Sequence, residues 1–243
     1  MLIVVLAYIW VFGRATAFIW YVKSEVAKNP KLVLVPVPLS DTSLPPDQGT
    51  TLTAFGYQFE VPWKMNEVKR KATIIESFQS ESGQEILSLW DPFSKKGGAK
   101  IMRETPGGTS PAMAMVYGPT AIQSDYDFEQ AIAFATPAQL SFFMPRVKEV
   151  RAGVFLLLKP LVTTDAETGF YSFQTEHLRG FQNGDPAKAK NVIVKAFDVE
   201  DRIFEFIFSN KSAGTGSITQ ADINMVMQTL RPAPASPSEP AVK

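Results

Sequence analysis

The chain has 243 residues, 45% of them hydrophobic, with 24 Lys and Arg balancing 24 Asp and Glu, and no Cys. Binding to duplex nucleic acid needs a basic excess to displace counterions from phosphates, so balanced charge speaks against a nucleic-acid partner. The absence of Cys excludes thiolate catalysis, Cys-ligated zinc, iron–sulfur clusters, a disulfide framework and lipidation at cysteine.

Met1 to Val22 reads MLIVVLAYIWVFGRATAFIWYV, and Arg14 is its only charged side chain. A bilayer core takes about 20 apolar residues of helix, so this segment is expected to be a single transmembrane anchor. Arg14 near its middle costs roughly 2.5–3.5 kcal/mol on insertion scales, which the clustered Leu, Ile, Val, Phe and Trp outweigh. Trp20 and Tyr21, just before Lys23, stand where an interfacial aromatic belt belongs. The rival reading is a cleavable signal peptide, with Leu2–Phe12 as its apolar region and Ala15-Thr16-Ala17 as its cleavage site. Against it, no basic side chain precedes the apolar run, and Phe18–Val22 continues the run past the site. Lys23, Lys28 and Lys31 follow the segment, which under the positive-inside rule taken literally puts the rest of the chain in the cytoplasm.

Residues 23–50 read as a Pro-rich linker. Four prolines and a Ser/Asp/Thr cluster between Lys31 and Thr50 favour extended chain, with an extended edge expected at Leu32–Val37. The stretch 51–231 reads as one α+β globular domain. Phe55, Tyr57, Phe59, Val61 and Trp63 alternate with polar Gln58 and Glu60, the pattern of a half-buried strand with an aromatic face. Ala72–Gln79 and Glu85–Asp91 flank Glu81-Ser82-Gly83 as a hairpin, and Ala99–Arg103 reads as a further strand. Ser110-Pro111 opens a short Met-rich helical turn through Tyr117. Ser124 caps a helix over Asp125–Phe134, and Thr136-Pro137-Ala138-Gln139 is a capping box for a second helix to about Met144. Strands are expected again at Val154–Lys159, Phe170–Gln182, Val192–Val199 and Arg202–Ser209, with Phe204, Phe206 and Phe208 on one face of the last. Thr219 then caps a helix with Ile223, Val226, Met227 and Leu230 at i, i+3, i+4, i+7 spacing. Pro232–Lys243, rich in Pro, Ala and Ser, is expected to be a disordered tail.

Chemistry-bearing residues are sparse. His177 is the single histidine, which excludes H-E-x-x-H and multi-His metal sites. With no G-x-S-x-G elbow for it to serve, a surface position on a strand is expected for it. Asp125, Asp127 and Glu129 resemble the start of a calcium loop, but Gln130 stands where the loop's Gly belongs, so a capped helix start is the better reading. Asp198, Glu200 and Asp201 suit an exposed hairpin end more than a cation site. Gly97-Gly98-Ala99-Lys100 and Gly214-Thr215-Gly216-Ser217 lack the spacing of phosphate-binding loops and read as turns. Met113, Met115, Met225 and Met227 read as core fillers. Lys64, Lys69, Arg70 and Lys71 form the candidate binding group, a basic run suited to acidic lipid or an acidic partner surface. No catalytic residue, metal or cofactor is assigned.

Antiparallel strands, mid-chain helices and a closing amphipathic helix make an α+β fold, an antiparallel sheet flanked by helices and preceded by a transmembrane helix. The stretch Gly56-Tyr57-Gln58-Phe59-Glu60-Val61-Pro62-Trp63 and the strand-to-helix unit from Phe204 to Arg231 give this layout a resemblance to the PsbP-like sandwich of extrinsic photosystem proteins and their non-photosynthetic relatives. That resemblance implies a compact, non-catalytic accessory domain, often extracytoplasmic, that docks on a membrane complex. The expected function is therefore a single-pass, membrane-anchored binding module with a membrane-protein partner. The alternative is a membrane-tethered hydrolase using carboxylates, since paired carboxylates are brought together in space and not by sequence spacing.

Overall fold

A computed structural model describes residues 17, 19–45, 49–83, 85–94, 96–97, 99, 122, 124–140, 147–163, 169–210 and 218–234. The described chain divides into two compact units where the sequence reads one domain over 51–231. The first comprises 1–38, 96–172 and 181–184; the second comprises 39–95, 173–180 and 185–243. Both are of mixed character, giving an α+β fold with mixed sheets and flanking helices.

The second unit holds the larger core. Strands β2 (Thr50–Ala54) and β3 (Tyr57–Val61) form a tight antiparallel hairpin. Its turn residues Phe55 and Gly56 both have positive φ, 48° and 78°, the type I′ pattern that matches the twist of a two-residue hairpin. Gly56 suits this conformation, whereas the bulky Phe55 is an uncommon occupant of it. Strands β4 (Met65–Ala72), β5 (Ile75–Ser80) and β6 (Glu85–Trp90) follow as an antiparallel meander. Further along, β9 (Asn191–Phe197) and β10 (Ile203–Asn210) pair with one another, and β10 also pairs with β6. Phe204, Phe206 and Phe208 are all buried, as their alternation predicts. Helix α3 (Gln220–Thr229) packs on β3 and buries Ile223, Val226 and Met227 beside Phe59 and Val61. Thr219 and Asp222 form its capping box: the Asp222 N–H donates to Thr219 Oγ1 and the Thr219 N–H to Asp222 Oδ2.

The chain does not leave the sheet at Pro232, where the sequence begins the tail. Strand β11 (Arg231–Pro232) pairs antiparallel with β3, and the Ala233 N–H donates to the Gly56 carbonyl. Residues 235–243 lie outside the described ones.

In the first unit residues 19–28 are helical, and a 3-10 turn follows at Pro30–Val33, with Asn29 as its N-cap. Within the linker the sequence assigns to 23–50, β1 (Val37–Pro38) lies parallel to β7 (Phe170–Gln174), so the strands are not all antiparallel. Helix α1 (Asp125–Ala133) appears where Ser124 predicts it. The Thr136 capping box opens only a 3-10 turn, Pro137–Gln139, and the remainder of that expected helix falls at 141–146, outside the described residues.

Val154–Lys159, expected as a strand, is the end of helix α2 (Val147–Leu158) and the start of the 3-10 turn after it, Lys159–Leu161. A short apolar run carries no period of its own, and Leu is a good helix former, so the preceding turns decide its conformation. Phe128 of α1 meets Phe155 of α2 edge to face at 6.1 Å, inside a core that also buries Ile19, Val22, Leu32, Ile132 and Leu156. The strand expected over Phe170–Gln182 is a hairpin instead: β7, a turn at 175–178, then β8 (Arg179–Asn183). Ala99 is helical where a strand is expected, and the Met-rich turn at 110–117 lies outside the described residues. Among the described residues no helix is long and apolar enough to cross a membrane; residues 1–16, most of the expected anchor, lie outside them.

Ile223→Asp places a carboxylate in the buried stripe of α3, where it has no partner. The variant is expected to lose at least about 3 kcal/mol of unfolding free energy by denaturant titration.

Candidate functional site

Of the candidate basic group, Lys64 is exposed on the turn that leads into β4, and Lys69, Arg70 and Lys71 all fall within β4. Strand pairing sets Arg70 opposite Ser77 and Lys71 opposite Glu76, after a register irregularity between Asn66 and Arg70. The side chains of residues 69–71 lie outside the described part, so the strand joins the three in sequence while their grouping with Lys64 stays an expectation.

His177 sits in the β7–β8 turn and not on a strand. It is exposed, with Nε2 3.8 Å from the still more exposed carboxylate of Glu176. The turn is built by Thr175, whose Oγ1 accepts the N–H groups of His177 and Leu178. A histidine so placed faces water. The carboxylates at 198, 200 and 201 close the β9–β10 turn. Asp198 Oδ1 accepts the Glu200 and Arg202 N–H groups, while its Oδ2 pairs with Arg202 Nε at 2.6 Å. Glu200 pairs with the other arm of the guanidinium at 3.0 Å. Arg202 thus supplies the cation there, and its guanidinium also lies 5.6 Å from the centre of the Tyr57 ring. Among the described residues no group of three metal-ligating side chains converges. Gly97 is in the described chain while Gly98 and Gly214–Ser217 are not; Met225 and Met227 are both buried, Met227 in the core of the second unit, and Met113 and Met115 fall outside.

The calcium-like run at Asp125 is a helix start, as its residues predict. Ser124 Oγ accepts the Asp127 N–H and Asp127 Oδ2 accepts the Ser124 N–H. The Asp125 carboxylate is buried and accepts the Ala99 N–H at 2.7 Å. A Cβ at position 97 would collide with this carboxylate, so the close approach requires Gly97.

Lys159 is the group that sequence reasoning missed. Its side chain is fully buried, and Nζ donates to the Ala135 carbonyl at 2.6 Å. Among the described residues no carboxylate pairs with it. Burial pulls its pKa down from 10.5 to about 8, because charge in a low-dielectric interior is costly. A lysine of this kind can be a nucleophile or base, but its geometry has a plainer explanation. Ala135 lies just beyond the C-terminal end of α1, and Asp125 opens that same helix. A buried carboxylate at the N-terminus and a buried amine at the C-terminus complement the helix dipole at both ends. Nothing in the residue type or its neighbours signals this, since it depends on how α2 crosses α1.

No family model, no curated protein and no solved structure matches the chain.

Between pH 8 and 10.5 the unfolded chain holds the Lys159 proton and the folded chain does not, so stability should rise with pH across that window. Below pH 8 both states carry the proton and the slope vanishes. Lys159→Met removes the titration. Equilibrium unfolding is expected to show the parent gaining on this variant by about 3 kcal/mol from pH 8 to 10.5.

Proposed function

We propose that the protein is a membrane-anchored, non-catalytic binding module held at the bilayer by Met1–Val22. The observation that carries this reading is the passage of that apolar segment into helical residues 19–28, whose Ile19 and Val22 are packed in the first core. An anchor ending inside a folded core would hold the unit to the membrane without a loose hinge. The PsbP-like resemblance supports an accessory role on a membrane complex, and its extracytoplasmic setting is preferred here to the cytoplasmic side that Lys23, Lys28 and Lys31 give under the positive-inside rule. The settings of His177, Asp198, Glu200 and Lys159 also favour binding over turnover: two carboxylates neutralise an arginine, the histidine faces water and the lysine caps a helix. Tethering raises the effective concentration of the module against its membrane neighbours, so a weak contact suffices. The group at Lys64, Lys69, Arg70 and Lys71 is the proposed contact for an acidic surface on that neighbour.

Deleting residues 1–16 leaves Ile19 and Val22 in place, so it tests the tether without removing core. Full-length protein is expected to resist carbonate extraction from membranes and the deletion variant to be released; full-length protein in the soluble fraction would refute the reading. Charge reversal of Lys69, Arg70 and Lys71 to Glu is expected to reduce recovery of a crosslinked membrane-protein partner severalfold, with membrane association unchanged. Turnover of an ester, glycoside or phosphate substrate, lost on a single carboxylate substitution, would establish the hydrolase instead.

A further inference from the structure

The first unit carries a rim of exposed apolar side chains around its small core. Trp20, 66% exposed, and Tyr21, 50% exposed, lie between buried Ile19 and Val22. Val33, 53% exposed, follows buried Leu32. Leu157, 37% exposed, follows buried Leu156, and Leu161, 81% exposed, precedes Val162, which packs against the same core. The 3-10 turns that carry Val33 and Leu161 lie against each other. Single exposed apolar residues are ordinary, but several around one small core mark a surface that something covers.

Three features point to the covering phase. Trp and Tyr are the residue types that favour headgroup level, with an apolar ring body and a polar tip. They are borne on the helical stretch 19–28, which follows the anchor's apolar run directly in sequence. The rim therefore begins where the anchor leaves the hydrocarbon. Lys23 and Lys28 on the same stretch and Lys31 in the 3-10 turn after it outnumber Glu25, which pairs with Lys28 at 2.8 Å, so the segment stays cationic where headgroups begin. A soluble protein partner would account for the apolar rim alone, whereas a bilayer accounts for the aromatics, their place beside the anchor and the lysines together.

We infer that this rim is a bilayer-facing surface, so that the first unit lies on the membrane at headgroup level beside the anchor instead of standing off in water. The inference rests on the proposed tether. Because the chain has no Cys, single substitutions Val33→Cys, Leu157→Cys and Leu161→Cys give unique sites for a nitroxide label in otherwise intact full-length protein. The protein is reconstituted into vesicles of phosphatidylcholine and phosphatidylglycerol in equal parts, and lipids labelled at known depths calibrate the scale. Flotation comes first: protein that does not float with the vesicles loses the tether and this inference together. In floating protein the labels at 33, 157 and 161 are expected to collide readily with oxygen and poorly with a water-soluble nickel chelate, in the ratio of lipids labelled between headgroup and upper acyl chain. Ready collision with both reagents would show the rim in water and overturn the inference while the tether stands. Shielding from both would show the rim covered by protein, from this chain or a second copy, and overturn it equally.

Discussion

Phe206 of β10 meets Phe59 of β3 edge to face at 5.8 Å, and through this contact the five-stranded run β9–β10–β6–β5–β4 is held to the small sheet β2–β3–β11. Phe204 makes the corresponding contact with Tyr57 at 4.8 Å, and Phe78 extends the column beside Phe59 at 6.1 Å. Such rings contribute buried area and an orientation preference together, so they set both the separation and the register of the two sheets. Helix α3 closes over β3, and the Asn224 amide reaches the carbonyls of Asp41 and Ser43, drawing the extended chain after β1 onto the same body. A one-residue slip of β10 would turn all three phenylalanines outward at once.

The first unit is arranged on another principle. Its apolar core is small, and buried polar contacts add direction to it. Asp125 and Lys159 terminate the two ends of α1, Asn183 reaches the Val162 carbonyl at 3.0 Å, and Tyr126 stacks on Phe181 at 5.8 Å. Each polar contact is strong only while water is kept out, since the same low dielectric that strengthens it penalises its loss.

Legibility in the sequence followed the strength of periodic signals. The alternating aromatics of β3 and β10 and the stripe of α3 are each dictated by burial on one face, and the capped helix at Ser124 by local hydrogen bonding, so all four are readable before any contact is known. The run Val154–Leu158 has no alternation and no helical stripe, and its conformation is inherited from the turns before it. The break of Phe170–Gln182 at residues 175–178 rests on Thr175 turning the chain through its own hydroxyl, a weak signal beside Gly or Pro. Strand β4 escaped because its charged residues suit an exposed face in any conformation. Of the site, the helix-start role of Asp125 was legible, while Lys159 was not, because its partner lies 24 residues away and is a backbone carbonyl.

The hydrogen bond from the Glu60 N–H to Thr229 Oγ1 spans 169 residues, and β11 pairs with β3 over a similar distance. The second unit therefore encloses most of the first within its own sequence and is completed only by the last helix and strand. During synthesis β3 emerges early and waits, its aromatic face uncovered, until β10 and α3 have been made. Closing so long a loop is entropically slow, and topologies dominated by distant contacts fold late compared with those built from neighbours. The first unit also joins distant segments, β1 with β7 and Ile19 with Phe155, but all of them have been made by residue 184. The order of assembly is thus written into the connectivity: the enclosed unit can form while its host is still incomplete, and the exposed edge of β3 sets how long the nascent chain stays prone to aggregation.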